Sequence, residues 1–262
     1  MDVKTNTLQI KITFLGTGTS QGIPVIGSTH PVCLSSDKRD KRLRVSILVE
    51  WDHFTYVVDC GPDFRYQMLR ANVAKINGVL FTHIHSDHTA GLDDLRPFGA
   101  KLGAVPIYAK KEVLNNLARR FDYIFNDENK YIGAPSVMQN EVKNEPFFIE
   151  NLKVIPVEIS HGELQIFGFR FNNIAYLTDV KAISAEEKLK LQNLDILIIN
   201  ALRLQTHPTH LNLEEAIALS RELKAKKTYL THISSRLGFH AEVEKRLPEN
   251  VFLAYDGLVI EV

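Results

Sequence analysis

Cysteine is scarce in this chain: Cys33 and Cys60 are the only two in 262 residues. Two thiols make no disulfide framework, and a reducing compartment is the easier setting, so a cytoplasmic location is expected. An excess of charge of either sign is also missing. Lys plus Arg and Asp plus Glu stand at 31 each, which argues against a general binder of large nucleic acids or of membrane surfaces. A small phosphate-bearing substrate needs only local charge and stays open. Long apolar runs are lacking too. No stretch reaches the ~18 apolar residues of a spanning helix, and the opening MDVKTNTLQIKITFLG has no basic segment ahead of a long apolar core, so no membrane association is expected. No internal repeat, linker or low-complexity segment breaks the chain.

What is present suffices for a proper core. At 45% hydrophobic, the length suits one large α/β domain, read here as residues 1–262, or two small ones. Strands are expected over Ile10 to Leu15, Val45 to Glu50 and Phe54 to Asp59, the last two as a hairpin. A helix over Asp63 to Ala71 would place Phe64, Met68 and Leu69 on one face. Later strands are expected over Pro106 to Ala109, Leu152 to Ile159, Gly168 to Phe171, Ile174 to Leu177, Ile196 to Ile199, Thr228 to Leu230, Val251 to Ala254 and Leu258 to Val262. Helices are expected over Lys110 to Phe121, Ala182 to Leu191 and Asn212 to Leu223. Asp122 to Glu150 looks the least regular. Its aromatics Tyr123, Phe125, Tyr131, Phe147 and Phe148 suit a cleft lining and the edge of a core equally well.

Two early stretches invite a functional reading. Gly16 to Gly22, GTGTSQG, is glycine-rich but lacks Gly-Lys-Ser/Thr, and Ile23-Pro24 stands where a helix should open. A tight turn near an active site is the better reading. Asp37 to Arg44, DKRDKRLR, reads as a solvated loop, with Arg42 or Arg44 holding a substrate phosphate as the minority reading.

The chemistry concentrates in Gly78 to Leu92, GVLFTHIHSDHTAGL. A short apolar run delivers Thr82, then His83, His85, Asp87 and His88. Four ligand-type residues at a strand's carboxyl end stand where α/β enzymes place their chemistry. His83 and His85, two apart, point to one side in an extended segment and can share an ion. Asp87 and His88 lie past a turn and can face a second. Imidazole with carboxylate suits zinc, manganese or iron. The pattern recurs: Leu152 to Ile159 delivers His161, Ile174 to Leu177 delivers Asp179, and Thr228 to Leu230 delivers His232. Such a rim can hold two ions, with the two oxygens of Asp179 available to bridge them.

These residues resemble the metallo-β-lactamase superfamily of metal-dependent hydrolases. The H-x-H-x-D-H motif is His83, His85, Asp87 and His88, and the later motifs are His161, Asp179 and His232. The resemblance covers nearly the whole chain. Within the superfamily, GTGTSQGIP, His210-Leu211-Asn212-Leu213, LTHIS and the terminal YDG are most similar to the branch holding the phosphoribosyl cyclic phosphate diesterase of the carbon–phosphorus lyase pathway. The resemblance implies an αββα four-layer sandwich. It implies one ion on His83, His85 and His161, another on Asp87, His88 and His232, and Asp179 between them. Ions in such pairs sit ~3.5–4 Å apart and hold a hydroxide poised for in-line attack on phosphorus. His210 would be the general acid, oriented by Asp87, a role worth ~10²–10⁴-fold. His207 is the rival, but Pro208 follows it and the family pattern falls on His210. A homodimer is implied by resemblance alone.

One departure stands out. The branch often carries a structural zinc on a C-x-C-x-x-C run and a later His. Here those positions read Ser28, His30, Cys33 and Ser235, with His240 nearby at a different spacing, so a structural zinc is expected to be absent or degraded. Other readings remain. The metal set alone does not choose phosphorus over the carbon of a thioester or lactone. A tRNA 3′-end nuclease shares the chemistry but would need an RNA-grasping arm, and none is visible. A metal-binding protein without catalysis is the non-enzymatic alternative.

Overall fold

The structure is a computed structural model, and it describes residues 8–126, 128 and 130–262. Two seven-stranded sheets dominate it. The first is built from β1 (Lys11–Gly16), β2 (Ser46–Trp51), β3 (Phe54–Val58), β4 (Gly78–Leu80), β5 (Val105–Ala109) and β6 (Val137–Glu141). The second takes β7 (Phe147–Ile149), β8 (Leu152–His161), β9 (Leu164–Phe171), β10 (Ile174–Leu177), β11 (Ile196–Asn200), β12 (Lys227–Thr231) and β13 (Val251–Leu253). The last strand, β14 (Val259–Glu261), returns to the first sheet beside β1, so the orders are β14-β1-β2-β3-β4-β5-β6 and β13-β12-β11-β10-β9-β8-β7.

Period-two patterning explains the layers. In β2, Ile47, Val49 and Trp51 point to one apolar cluster and Leu48 to another. In β11, Ile196 and Ile198 face the first of these, while Leu197 and Ile199 face a third. Phe167, Phe169 and Phe171 of β9 join Phe14, Tyr56 and Tyr176 in the shared cluster. Alternate side chains of a strand lie on opposite faces, so the shared cluster is the filling between the sheets. The other two lie beneath the outer helices: Leu213–Leu223 borders one, and Phe64–Arg70 and Lys111–Arg120 border the other. This is the expected αββα sandwich. Strands buried on both faces have no polar side, which is why ILIIN reads as a continuous apolar run.

Two expectations are corrected. Asp122 to Glu150 is more regular than its sequence suggests: it holds the helix Asp122–Phe125 and supplies the edge strands β6 and β7. β6, VMQNE, has no buried residue, and an exposed edge strand gives little hydrophobic pattern to read. None of the aromatics in that stretch lines the central cavity. Tyr123 and Phe125 pack on the helix-side core, Phe147 packs on the inter-sheet core, and Tyr131 stacks on Tyr123 at 5.6 Å. In the helix Phe64–Arg70, Phe64 and Met68 are buried, but Leu69 is 62% exposed and Gln67 takes the inner face. Gln67 is tolerated there because its amide donates to the Arg44 carbonyl at 2.8 Å.

Both sheets are part antiparallel, part parallel. β3 to β6 run parallel in the first sheet, and β10 to β13 in the second. The carboxyl ends of these parallel strands meet along one edge of the sandwich, where Gly18 bridges to both Arg44 and Ile233. Among the described residues no helix is long and apolar enough to cross a membrane.

Candidate metal centre

The parallel strands deliver their next residues to that edge, and the delivery involves sharp turns. Asp59 after β3, Asp179 after β10 and His232 after β12 have φ of 66°, 59° and 52°. Left-handed backbone is costly for residues other than Gly, and it clusters where a structure holds a side chain against its preference. Each turn stops the strand's alternation and swings a polar side chain into the groove. Asn200, fully buried at the end of β11, holds one of these turns: its Oδ1 accepts the Val180 N–H at 2.6 Å.

The seven ligand-type residues come together. One ligand atom each from His83, His85 and His161 lie within 4.8 Å of one another, and the same holds for Asp87, His88 and His232. Asp179 belongs to a similar trio with His83 and His88, and to another with His161 and His210. Its carboxylate therefore stands between the two sets.

The ring nitrogens are sorted by their outer partners. His88 Nδ1 meets Asp59 Oδ2 at 2.7 Å, and the His161 Nδ1–H donates to the Thr209 carbonyl at 2.9 Å. Each leaves Nε2 facing the centre, the orientation that an outer hydrogen-bond partner gives a metal-binding histidine. Asp59 also accepts from the Thr82 N–H at 2.9 Å and from the Thr82 hydroxyl, which lies 2.9 Å from His83 Nδ1. Nε2 of His88 and of His232 lie 3.0 and 3.1 Å from Asp179 oxygens, yet neither makes a hydrogen bond. Buried polar atoms that crowd together out of line with one another converge on a point rather than on each other. Five imidazoles and two carboxylates around such a point fit divalent ions of the zinc or manganese kind.

Electrostatics agree with that use. Burial pushes the His83 imidazole well below its ordinary pKa, which keeps it a neutral ligand. Burial also opposes charge on Asp179, but His232 and His88 outweigh it and hold the carboxyl well below its usual range. The ring of His210 is pushed down to about 4 by its burial, against the pull of Asp179.

His210 sits at the centre, but its carboxylate partner differs from the expected one. Its Nε2 is 2.7 Å from Asp179 Oδ1, while Asp87 stands 3.2 Å from His88 Nε2 and 3.9 Å from His232 Nε2. The left-handed turn at Asp179 brings that carboxylate under the loop of His210, and Asp87, on the far helix Ser86–Thr89, is turned toward His88. His207 also faces the cavity, with Nδ1 3.2 Å from His210 Nδ1. The cavity is about 620 Å³ and is lined by Thr19 to Gly22, five of the seven ligand-type residues (His85, Asp87, His161, Asp179 and His232), Arg203 and Arg236. The GTGTSQG turn thus borders the site, as its sequence suggests.

Residues matching the branch's structural zinc site are placed as follows. Cys33 is buried, and its carbonyl accepts the Lys41 ammonium at 2.8 Å. His30 caps the helix Pro31–Leu34, its Nδ1 accepting the Val32 N–H at 3.3 Å. His240 is elsewhere, with Nδ1 3.1 Å from the Arg42 guanidinium. The basic run is corrected too. Arg42 is buried and binds Thr17 Oγ1 at 2.7 Å and the Ala254 carbonyl at 2.5 Å. Arg44 pairs with Asp63 at 3.0 Å. Both cations are spent on holding the loop to the body of the molecule, so neither is free for a phosphate.

Sequence reasoning missed Asp59, Thr82, Thr209 and Asn200 as parts of the site. Asp59 had a signal: VVDCG ends an apolar run in a carboxylate, as AYLTD does at Asp179. Thr209 had none beyond its neighbours.

The model of the β-lactamase superfamily domain matches residues 55–233, which include every ligand residue. The chain belongs to the metallo-β-lactamase superfamily. Among solved structures, a diphosphatase of the PhnP family is 41% identical, superposes with a TM-score of 0.90 and is matched over 97% of this chain and 98% of its own. The short form of human tRNase Z shares the fold at 20% identity and a TM-score of 0.68, over 95% of this chain and 98% of its own. Among curated proteins, an octanoyltransferase of Porphyromonas gingivalis is 40% identical over 93% of this chain, and the chain spans only 50% of that relative's length. A ribonuclease Z of Listeria monocytogenes is 24% identical over 97% of this chain and 99% of its own. The chain thus has the metallo-β-lactamase fold and resembles the PhnP family, and its histidine and aspartate clusters are groups that could hold a metal ion.

Proposed function

We propose that this protein is a dinuclear phosphodiesterase that opens small cyclic phosphodiesters, of ribosyl or nucleoside type, in the cytoplasm. One observation carries the reading: two donor trios meet at Asp179, and His210 overhangs them at the cavity wall. His83, His85 and His161 would hold one divalent ion, and Asp87, His88 and His232 the other. Bound there, such a pair supplies an activated water at neutral pH and offsets charge on the phosphoryl oxygens.

The chain's own residues supply the rest. Asp59, Thr82 and Thr209 fix the imidazoles by their outer nitrogens, so little reorganisation is needed when substrate arrives. His210 donates the proton that the leaving alkoxide needs. An anionic phosphate beside the ring favours its protonated form, which offsets the effect of burial. Arg236, exposed at the rim, and Arg203 give the approach a positive lip. A volume of about 620 Å³ admits a nucleoside-sized group beside the phosphate.

The test is an assay of zinc- or manganese-loaded protein against 2′,3′-cyclic nucleotides, a ribosyl 1,2-cyclic phosphate, thioesters and lactones. Selective turnover of the cyclic phosphates is expected. Turnover of carbon esters with cyclic phosphates untouched would sink the phosphodiesterase reading. A second reading has one specific support: the 41% identical neighbour is a diphosphatase. A nucleoside diphosphate and its sugar ester belong in the same panel, and their preferential cleavage would move the assignment to phosphoric anhydrides.

A further inference from the structure

We infer that His207 is a positioning residue for the proposed acid His210, acting through the Thr209 hydroxyl. The inference rests on the reading of His210 given above and adds to it a residue outside the ligand set. The loop from Arg203 to Leu211 carries both histidines. Its backbone is folded onto the Arg203 guanidinium, which donates to the Gln205 and Thr206 carbonyls at 3.3 and 2.6 Å. Within the loop, the Thr209 N–H donates to His207 Nδ1 at 3.3 Å. That nitrogen is therefore an acceptor, and the ring carries its proton on Nε2. The Thr209 hydroxyl lies 3.2 Å from the same nitrogen and 2.9 Å from His210 Nδ1. In the protonated ring that an acid requires, His210 Nε2–H donates to Asp179 and Nδ1–H donates to the hydroxyl, which donates in turn to His207 Nδ1; the two Nδ1 atoms are 3.2 Å apart. The chain ends on an acceptor, His207 Nδ1.

The consequence is geometric. His210 is gripped at Nδ1, which leaves Nε2 as the nitrogen aimed at the floor of the site, 2.7 Å from Asp179. The grip is itself braced. The Thr209 carbonyl receives the His161 N–H at 2.9 Å, and a Cβ at Gly162 would meet Thr209 Cγ2 at 2.9 Å. His207 and His210 rings lie 5.0 Å apart at 62°. His207 touches none of the seven ligand residues by hydrogen bond among the described contacts, so its role is separable from metal binding.

A leaving-group series tests this on the metal-loaded enzyme. Aryl esters of thymidine 5′-phosphate, from p-nitrophenyl to unsubstituted phenyl, need progressively more help from a proton donor. Removing a positioning contact costs about ten- to a hundred-fold in kcat where the acid matters. His207→Ala is thus expected to lower kcat by that factor on the phenyl ester and by less than about threefold on the p-nitrophenyl ester, with KM little changed. His207→Asn, whose amide oxygen can accept, recovers part of the loss. In metal-free protein, His207→Ala is expected to shift the ring-nitrogen NMR signals of His210, a readout independent of turnover. An equal loss across the series, or no loss at all, overturns the inference. His210→Ala separates the two ideas. If it shows the leaving-group dependence and His207→Ala does not, only the positioning role fails. If it shows none, or if wild type cleaves none of the esters, the reading of His210 fails, and the NMR shift alone then decides the His207 contact.

Discussion

Asp59 illustrates how far a single buried carboxylate reaches. It touches Thr82 and His88 but belongs to neither donor trio. Outer partners of metal ligands typically carry 10–100-fold in affinity. Asp59→Asn should weaken zinc binding by about that factor while the fold survives, measurable by competition with a chelator. Unchanged affinity would show that His88 needs no such brace. Gly61 makes the opposite point, that an atom which is not there can matter. A Cβ at Gly61 would lie 2.0 Å from the Asp87 carbonyl oxygen, and backbone cannot yield as a side-chain tip can. Gly61→Ala should cost about 3 kcal/mol in urea unfolding, the upper range for overpacking, and should displace the Asp87–His88 loop. The clustering of the H-x-H-x-D-H residues was legible in the sequence because ligand-type chemistry is written in residue type and spacing. Asp59 and Gly61 were not, because their roles depend on which segment passes behind the site.

At the scale of elements, two anchors can be tested. Asn212 caps the helix Leu213–Leu223 with a full capping box: its Oδ1 accepts the Glu215 N–H and Glu215 accepts the Asn212 N–H, both at 2.8 Å. Asn212→Ala should cost about 1 kcal/mol in chemical denaturation. Helix end and cap were both readable in the sequence, since capping is local. Glu187 is different. It ties the helix Ala185–Leu189 to β8, accepting from the Glu158 N–H at 2.7 Å, Asn144 at 2.8 Å and Lys190 at 2.9 Å. Burial opposes its charge, but those donors win and hold the carboxyl below the usual glutamate range. A depressed folded-state pKa contributes stability that is present above the unfolded value and lost as pH falls through the folded one. Glu187→Gln should therefore destabilise by about 1–3 kcal/mol near neutrality, with the gap to wild type closing under acid. A gap that stays constant with pH would show that the amide loses packing, not charge. Two of its three partners, Glu158 and Asn144, lie 29 and 43 residues away, which no local pattern announces. The same holds for β6, whose exposed residues hide an edge strand, and for Leu69, which a helical period placed inside and the true packing turned out.

The whole molecule is two half-sites closed by one interface. His83, His85, Asp87 and His88 follow a strand of the first sheet, whereas His161 ends β8 and Asp179 and His232 follow strands of the second. Ions held between them would link the sheets, so metal should stabilise the folded state over the unfolded. Bound at 100 times its Kd, a ligand of the native state adds about 2.7 kcal/mol. Adding zinc or manganese to chelator-treated protein should raise Tm, and Asp179→Ala should abolish most of the rise. An equal rise in that variant would place the ions elsewhere.

What the sequence determined by itself is the chemistry and the layering. Five histidines and two aspartates after apolar runs gather ligand-type side chains at strand ends, and period-two runs specify sheets buried on both faces. Both are properties of neighbouring residues. The tertiary structure decided the aim of each group: the left-handed turns at Asp59, Asp179 and His232, the pairing of His210 with Asp179 rather than Asp87, and the spending of Arg42 on the Ala254 carbonyl. These depend on which strands lie side by side, and the contacts that fix them join residues up to 212 positions apart. Residue type carries what a group can do, and only the packing of distant segments sets what it faces.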